Sequence, residues 1–289
     1  MESCQQVAVI TGAASGIGLA LTQVCLENGI HVVMADNAVT SLCDQVEQLS
    51  ERAETEVLGV VCDVTKPESL RQLAKQTYER FNRVDWLFNN AGISGHLAPI
   101  WELTSEHIRK VMDINLYGVI HGLQAFLPLM FKQNHRSHVI NMASVYGLCS
   151  GSQMAAYAMS KHGIVALSES LYFDLQRLDK PVDVSVVCPS FANTALLTNS
   201  RPLHSDKLHH MVADLVARSR PAADVAKHIV QEVKKKTFYI LTDREVKDYC
   251  EQRAKAIVEQ TTPHKHSLEK IIASLSKRAM VDCGPVVDE

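Results

Sequence analysis

The sequence predicts an α/β fold built on one doubly wound parallel sheet, and three observations carry the prediction. Short apolar runs of strand length alternate with segments of helical periodicity along most of the chain. A glycine-rich turn joins the first such run to the first such helix. The 289 residues, 46% of them hydrophobic, can bury one large core, and no repeat, low-complexity tract or Pro/Gly linker marks a second domain.

Taken in order, the first strand is expected at Val7–Thr11 and the helix after it over residues 17–26, where apolar side chains recur at helical spacing. Further strands are expected at 31–35, 57–62, 84–89, 138–143, Val182–Cys188 and 238–241, with helical stretches between most of them. In such a sheet ligands bind beyond the carboxyl ends of the strands, where strand order reverses. Residues 1–242 therefore form the sheet-bearing unit, and 243–289 a helical extension of the same domain with helices at 244–260 and 266–280. The second of these places Leu268, Ile271, Ile272 and Leu275 on one face, a stripe too apolar to leave in water. It is expected to pack on its own subunit or across an oligomer interface.

Composition narrows the partners. A net charge of −3 offers no clustered basic excess for nucleic acid or anionic membrane, and neither is expected as a partner. No apolar run approaches the roughly 20 residues that span a bilayer, and no basic segment precedes a hydrophobic one at the N-terminus. The eight cysteines stand singly, with no C-x-x-C pair, as buried thiols do in a reducing compartment, so a cytoplasmic protein is expected. His209, His210, His264 and His266 lack a matching set of acidic or thiol ligands, and no metal is expected.

After the first strand the chain reads Thr11-Gly12-Ala13-Ala14-Ser15-Gly16-Ile17-Gly18. Gly12 permits a tight turn, Gly16 lets backbone approach a pyrophosphate, and Gly18 lets the helix sit close to the sheet with its N-terminus facing the phosphates. Ser15 can add a hydroxyl contact. Asp36, 18 residues beyond Gly18, ends the second strand, where a carboxylate accepts hydrogen bonds from ribose hydroxyls and repels a 2′-phosphate. The first 51 residues contain no Lys or Arg to anchor such a phosphate, so NAD is expected rather than NADP. Asp63 and Val64 can hold an adenine edge, and Asn90-Ala91-Gly92 can bring backbone to the cofactor.

Tyr157 and Lys161 lie four residues apart on a segment of helical character and so share a face. A free Tyr titrates near pH 10, and bringing it to neutrality requires roughly 4 kcal/mol. An ammonium about 4 Å away supplies that order of energy at an effective dielectric of about 20. Ser144 follows the fifth strand and can orient a substrate oxygen in the same cleft. Asn115 stands in an otherwise apolar helical stretch, where an amide is costly unless partnered, and can hold a water against Lys161.

Together these residues resemble the short-chain dehydrogenase/reductase family, in its compact single-domain, Rossmann-type branch. The resemblance runs from about Val7 to Leu241. It implies that Gly12, Ser15, Gly16, Ile17 and Gly18 meet the pyrophosphate, Asp36 the ribose, and Asp63 and Val64 the adenine. It further implies cofactor contacts from Asn90, Ala91, Gly92, Tyr157, Lys161, Pro189 and Thr194, and a catalytic tetrad of Asn115, Ser144, Tyr157 and Lys161. Ser190 stands where the family usually has Gly. The activity implied is hydride transfer between NAD and a secondary alcohol or ketone, by a homodimer or homotetramer. A hydrophobic substrate is expected, because a lid at about 190–220 carries Leu196, Leu197, Leu203, Leu208, Met211, Val212 and Leu215. Segments 93–100 and 146–154 are expected to border the same pocket. The competing readings are a non-catalytic NAD sensor or scaffold and an NADP-dependent carbonyl reductase. A nucleotide-sugar isomerase would need a larger carboxyl-terminal domain than the roughly 48 residues after Leu241.

Overall fold

The computed structural model describes residues 5–190, 192–193, 206–267, 269–271 and 273–274, with the backbone alone given for 193, 206–209, 212 and 215. The chain opens with β1 (Val7–Thr11), α1 (Gly16–Glu27), β2 (His31–Asp36), α2 (Val39–Ser50), β3 (Val57–Val61), α3 (Pro67–Phe81) and β4 (Trp86–Asn89). It continues through α4 (Ser105–Met112), a π-helical turn at Asp113–Tyr117, α5 (Gly118–Met130), β5 (Ser137–Met142), α6 (Ala155–Arg177) and β6 (Val182–Cys188). There follow β7 (Ala192–Asn193), α7 (Asp206–Ala217), β8 (Arg220–Pro221), α8 (Ala222–Lys234), β9 (Tyr239–Leu241) and α9 (Glu245–Val258).

Seven strands form one parallel sheet in the order β3-β2-β1-β4-β5-β6-β9, and β7 pairs with β8 apart from it. The order reverses between β1 and β4, which places a crevice at their carboxyl ends. Side chains alternate across the sheet, so β1 sends Val7 and Val9 to one face and Ala8 and Ile10 to the other. On the first face Val9, Val33, Leu87 and Val139 pack with Leu70 and Leu73 of α3, Phe126 and Met130 of α5 and Ile164 of α6. On the second, Ile10, Met34, Phe88 and Ile140 pack with Leu21 of α1, Leu42 of α2 and Ile229 and Val233 of α8. Burial on both faces is why the strands read as continuous apolar runs.

Strand ends differ from expectation by a residue or two, most instructively at β4. Pairing there begins at Trp86, two residues after Val84. The side-chain amide of Gln133 takes both backbone groups of Val84, accepting from its N–H at 2.7 Å and donating to its carbonyl at 3.0 Å. A glutamine from the turn after α5 thus stands in for a neighbouring strand. Two further features had no counterpart in the sequence reading: the π-helical turn, and the short β7–β8 pair.

The extension packs back on its own chain. Arg253 of α9 donates to Leu148 O at 3.3 Å, and His266 Nε2 donates to Ser150 O at 3.0 Å. Glu269 accepts from the backbone N–H of Ser152 at 2.7 Å and from its hydroxyl at 3.2 Å. Ile271 is exposed, against the expected burial of the stripe, while its other members, Leu268, Ile272 and Leu275, lie outside the described residues.

Candidate active site

Loops leaving the carboxyl ends of β1, β2, β3, β4, β5 and β6 enclose a cavity of about 380 Å³. Gly12 leaves β1 at φ +66°, a left-handed conformation that favours glycine. Gly18 is required for a different reason. A Cβ on it would lie 2.0 Å from the carbonyl oxygen of Gly12 and 2.6 Å from Asn90 Nδ2, so any side chain would push α1 off the sheet. Between these glycines the first turn of α1 faces the cavity, with Ser15, Gly16 and Ile17 on its wall.

Thr11, the last residue of β1, ties this turn to the loop after β4. Its hydroxyl accepts from the backbone N–H groups of Asn90 at 3.0 Å and Ala91 at 3.1 Å, while Asn90 Nδ2 donates to Thr11 O at 2.8 Å and Gly12 O at 3.2 Å. Asp36 ends β2 on the cavity wall and braces the glycine turn, accepting from Ala14 N at 3.0 Å and, through its other oxygen, from Ala38 N at 3.0 Å. Each oxygen retains a lone pair for a further donor. Asp63 accepts from the Thr65 backbone at 3.0 Å and hydroxyl at 2.7 Å, which shapes the loop that presents Val64 to the cavity.

Opposite this wall stand Ser144, Tyr157 and Lys161. Ser144 follows β5 and caps a short 3₁₀ turn at Val145–Gly147, accepting from Tyr146 N at 3.2 Å. Tyr157 and Lys161 share a face of α6, with the ammonium 5.6 Å from the phenol ring centroid. Lys161 donates to Met142 O at 2.8 Å and is 3% exposed. Asn115 is fully buried in the π-helical turn, a kind of distortion frequent at functional sites. It stands behind the wall: Oδ1 accepts from Ile93 N at 2.8 Å, and Nδ2 donates to Ile93 O at 2.9 Å and Ser160 Oγ at 3.0 Å. Both of its donors are thus committed. Gly92 separates it from Lys161, since a Cβ there would lie 3.2 Å from Asn115 Oδ1 and 3.5 Å from Lys161 Nζ.

The structure therefore brings all the described site candidates to one cavity or directly behind it. Asn90, Ala91, Gly92 and Pro189 complete the wall, and Ser190 is held by a bond from its N–H to the Thr242 hydroxyl at 3.2 Å. Thr194, with Leu196, Leu197 and Leu203 of the expected lid, lies outside the described residues. The expected substrate segments contribute Ile93 and Ser94, Tyr146 and Met154, and Ala192 and Val216. Sequence reasoning missed the bracing role of Thr11, for which its place at a strand end was a signal, and the unpartnered hydroxyl of Tyr146, which nothing in the expected segment 146–154 singled out. Among the described residues no group of three or more His, Cys, Asp or Glu is arranged to hold a metal, and no helix is long and apolar enough to cross a membrane.

Residues 6–205 match a family profile described as short chain dehydrogenase. The chain belongs to the short-chain dehydrogenase family. A dehydrogenase/reductase of CLA biosynthesis from Lactiplantibacillus plantarum is 30% identical over 92% of this chain and 98% of its own. Human (Homo sapiens) 15-hydroxyprostaglandin dehydrogenase (NAD+) is 35% identical over 66% of this chain and 70% of its own. Among solved structures, a short-chain dehydrogenase/reductase from Burkholderia phymatum in complex with NAD superposes with a TM-score of 0.85 at 33% identity, covering 91% of this chain and 98% of that one. This short-chain dehydrogenase is accordingly an oxidoreductase.

Its site electrostatics differ from what spacing alone implied. Burial pushes the Tyr157 phenol up from its ordinary value, and a hydrogen bond with the Ser144 side chain opposes that rise. Burial also brings Lys161 down to about 8, with the neighbouring Cys188 acting weakly in the other direction. The dry wall thus disfavours both charged forms. Spacing in the sequence reports the attraction between the two residues but not the desolvation.

Proposed function

We propose that the protein oxidises a secondary alcohol to a ketone, or the reverse, with NAD as partner and Tyr157 as the group that moves the proton. The carrying observation is that the glycine turn, Asp36, Ser144, Tyr157 and Lys161 line one cavity at the point where strand order reverses. The residues fit the cofactor: Gly12, Ser15, Gly16 and Ile17 line the cavity beside the N-terminus of α1, and Asp36 retains lone pairs at the end of β2. Gly12, Ser15, Gly16, Ile17 and Gly18 hold the pyrophosphate, Asp36 the adenosine ribose, and Asp63 and Val64 the adenine. Asn90, Ala91, Gly92, Pro189 and Thr194 complete the cofactor's surroundings.

Bound in oxidised form, NAD supplies the hydride acceptor and a positive ring that favours the ionised phenol. Tyr157 takes the alcohol proton, and in the reverse direction returns it. Ser144 holds the substrate oxygen beside Tyr157 and, through its hydrogen bond, eases the phenol's ionisation. Lys161 fixes a donor between the phenol and the nicotinamide ribose, and Asn115 positions Ile93 and the loop carrying Gly92.

The substrate is apolar over much of its length, for which Ile93, Val145, Met154 and Val216 on the wall are the support. The working form is a homodimer or homotetramer, since Tyr117, Met159 and Phe173 are exposed large side chains on the π-helical turn and α6. The setting is a reducing, cytoplasmic one, in keeping with the scattered thiols, of which Cys25, Cys62, Cys149 and Cys188 are buried.

Titration with NADH and NADPH tests the cofactor assignment. NADH should bind the more tightly, and Asp36→Ala should narrow the gap while also loosening the turn that Asp36 braces. Tighter binding of NADPH to the unaltered protein would refute it.

A further inference from the structure

Among the described residues three buried side-chain polar atoms lack a hydrogen-bond partner, and of these only the Tyr146 hydroxyl belongs to a residue lining the cavity. Tyr146 is 2% exposed, and its ring meets that of Tyr157 edge to face at 6.0 Å between centroids. An unsatisfied buried hydroxyl costs on the order of 1–3 kcal/mol, which Phe at the same place would avoid. Packing therefore accounts for the ring and leaves the oxygen unexplained.

The surroundings fix the backbone on either side of that ring. Ser144 accepts from the backbone N–H of Tyr146, so the residue is fixed by the same side chain that meets Tyr157. On the other side the extension grips the segment that follows, through Arg253 on Leu148, His266 on Ser150 and Glu269 on Ser152. The flank of the hydroxyl carries no side chain, because residue 151 is glycine; a Cβ there would lie 3.2 Å from Tyr146 OH and 2.9 Å from Glu269 Oε2.

We infer that Tyr146 is a specificity-determining residue whose hydroxyl donates a hydrogen bond to a second oxygen of the substrate, away from the reacting carbinol. The inference rests on the alcohol-dehydrogenase reading above and adds the substrate class: a largely apolar secondary alcohol or ketone bearing one more neutral acceptor, a keto, ether or hydroxyl oxygen. A carboxylate is a poor candidate for that acceptor, since the Glu269 carboxylate already stands across Gly151. Burial keeps the Tyr146 phenol protonated and able to donate, with the nearby Cys149 and Glu269 acting in the same direction.

The test uses full-length protein, NAD, plain secondary alkanols and the same alkanols carrying one keto oxygen at successive positions along the chain. The unaltered enzyme should prefer at least one keto-alkanol over its parent in kcat/KM by about tenfold, the worth of one well-placed hydrogen bond. Tyr146→Phe should abolish that preference while retaining NADH affinity, which also reports that the variant is folded. Gly151→Ala, which crowds the hydroxyl without removing it, should diminish the preference. A purely structural role would lower both substrates alike and leave their ratio unchanged, and that result overturns the inference. An unaltered enzyme with no preference at any position overturns it as well. If no alkanol in the panel is oxidised at all, the parent reading fails and this one falls with it.

Discussion

Lys161 shows what a single residue's burial does to the chemistry around it. Its ammonium is driven down from 10.5 to about 8 by desolvation, so below pH about 8 the folded protein holds a charge that the unfolded chain carries at no such cost. Between pH about 8 and about 10.5 the folded form has lost this proton while the unfolded chain still binds one, and the residue's contribution to stability rises with pH. Denaturant unfolding of the cofactor-free protein across that window should therefore show the unaltered protein gaining on Lys161→Met, by up to roughly 3 kcal/mol. Parallel pH dependences for the two would contradict it. The shared face of Tyr157 and Lys161 was legible in the sequence because four residues make about one helical turn. The balance between their attraction and their desolvation was not, because it depends on what β5 and the π-helical turn pack over them. Tyr146 was illegible for the same reason: a phenol in a pocket-bordering segment looks like any aromatic until its oxygen is found without a partner.

At the scale of elements, the glycine turn and the strand that feeds it were the most readable parts of the chain. β1 and β6 occur where the sequence predicts them, since each is an apolar run bounded by a turn. The start of β4 was not readable, because the competitor for Val84 is a glutamine 49 residues away. Nor was the π-helical turn, in which the bonds of Asn115 to Ile93 and Ser160 fix the local geometry. The close approach of α1 to Gly12 makes a sharp prediction. Gly18→Ala should destabilise the protein by about 1–3 kcal/mol and weaken NADH binding at least tenfold, read by denaturant unfolding and by fluorescence titration. Unchanged affinity and stability would mean that α1 is free to move, although a Cβ at residue 18 would lie 2.0 Å from Gly12 O.

Across the whole molecule, a sheet buried on both faces leaves function to the loops at one edge, and the extension reaches those loops from behind. It contacts residues 148–152, which lie between the Ser144 turn and α6, and so touches the substrate side of the cavity rather than the glycine turn. A chain ending at Thr262 should raise KM for the alcohol severalfold with NADH affinity nearly unchanged. Light scattering should find the full-length protein as a dimer or tetramer and the shortened one in the same state, because the described contacts of residues 266–269 are made within one chain. A full-length monomer would defeat the oligomer assignment, and a change of assembly on truncation would place the extension at an interface. The apolar pattern of 266–280 predicts a packed helix, yet Ile271, the one member of its stripe among the described residues, is exposed, and a stripe of leucines and isoleucines does not say which surface receives it.

The central claim is that Tyr157 moves the proton while NAD accepts the hydride, and one substitution tests the first half of it directly. Tyr157→Phe keeps the ring against Tyr146 and removes only the oxygen. On the best secondary alcohol found for the unaltered enzyme, the rate of NADH formation should fall by about 10²–10⁴-fold, with NADH affinity within about twofold of the original. A variant that keeps most of the original rate would contradict the account.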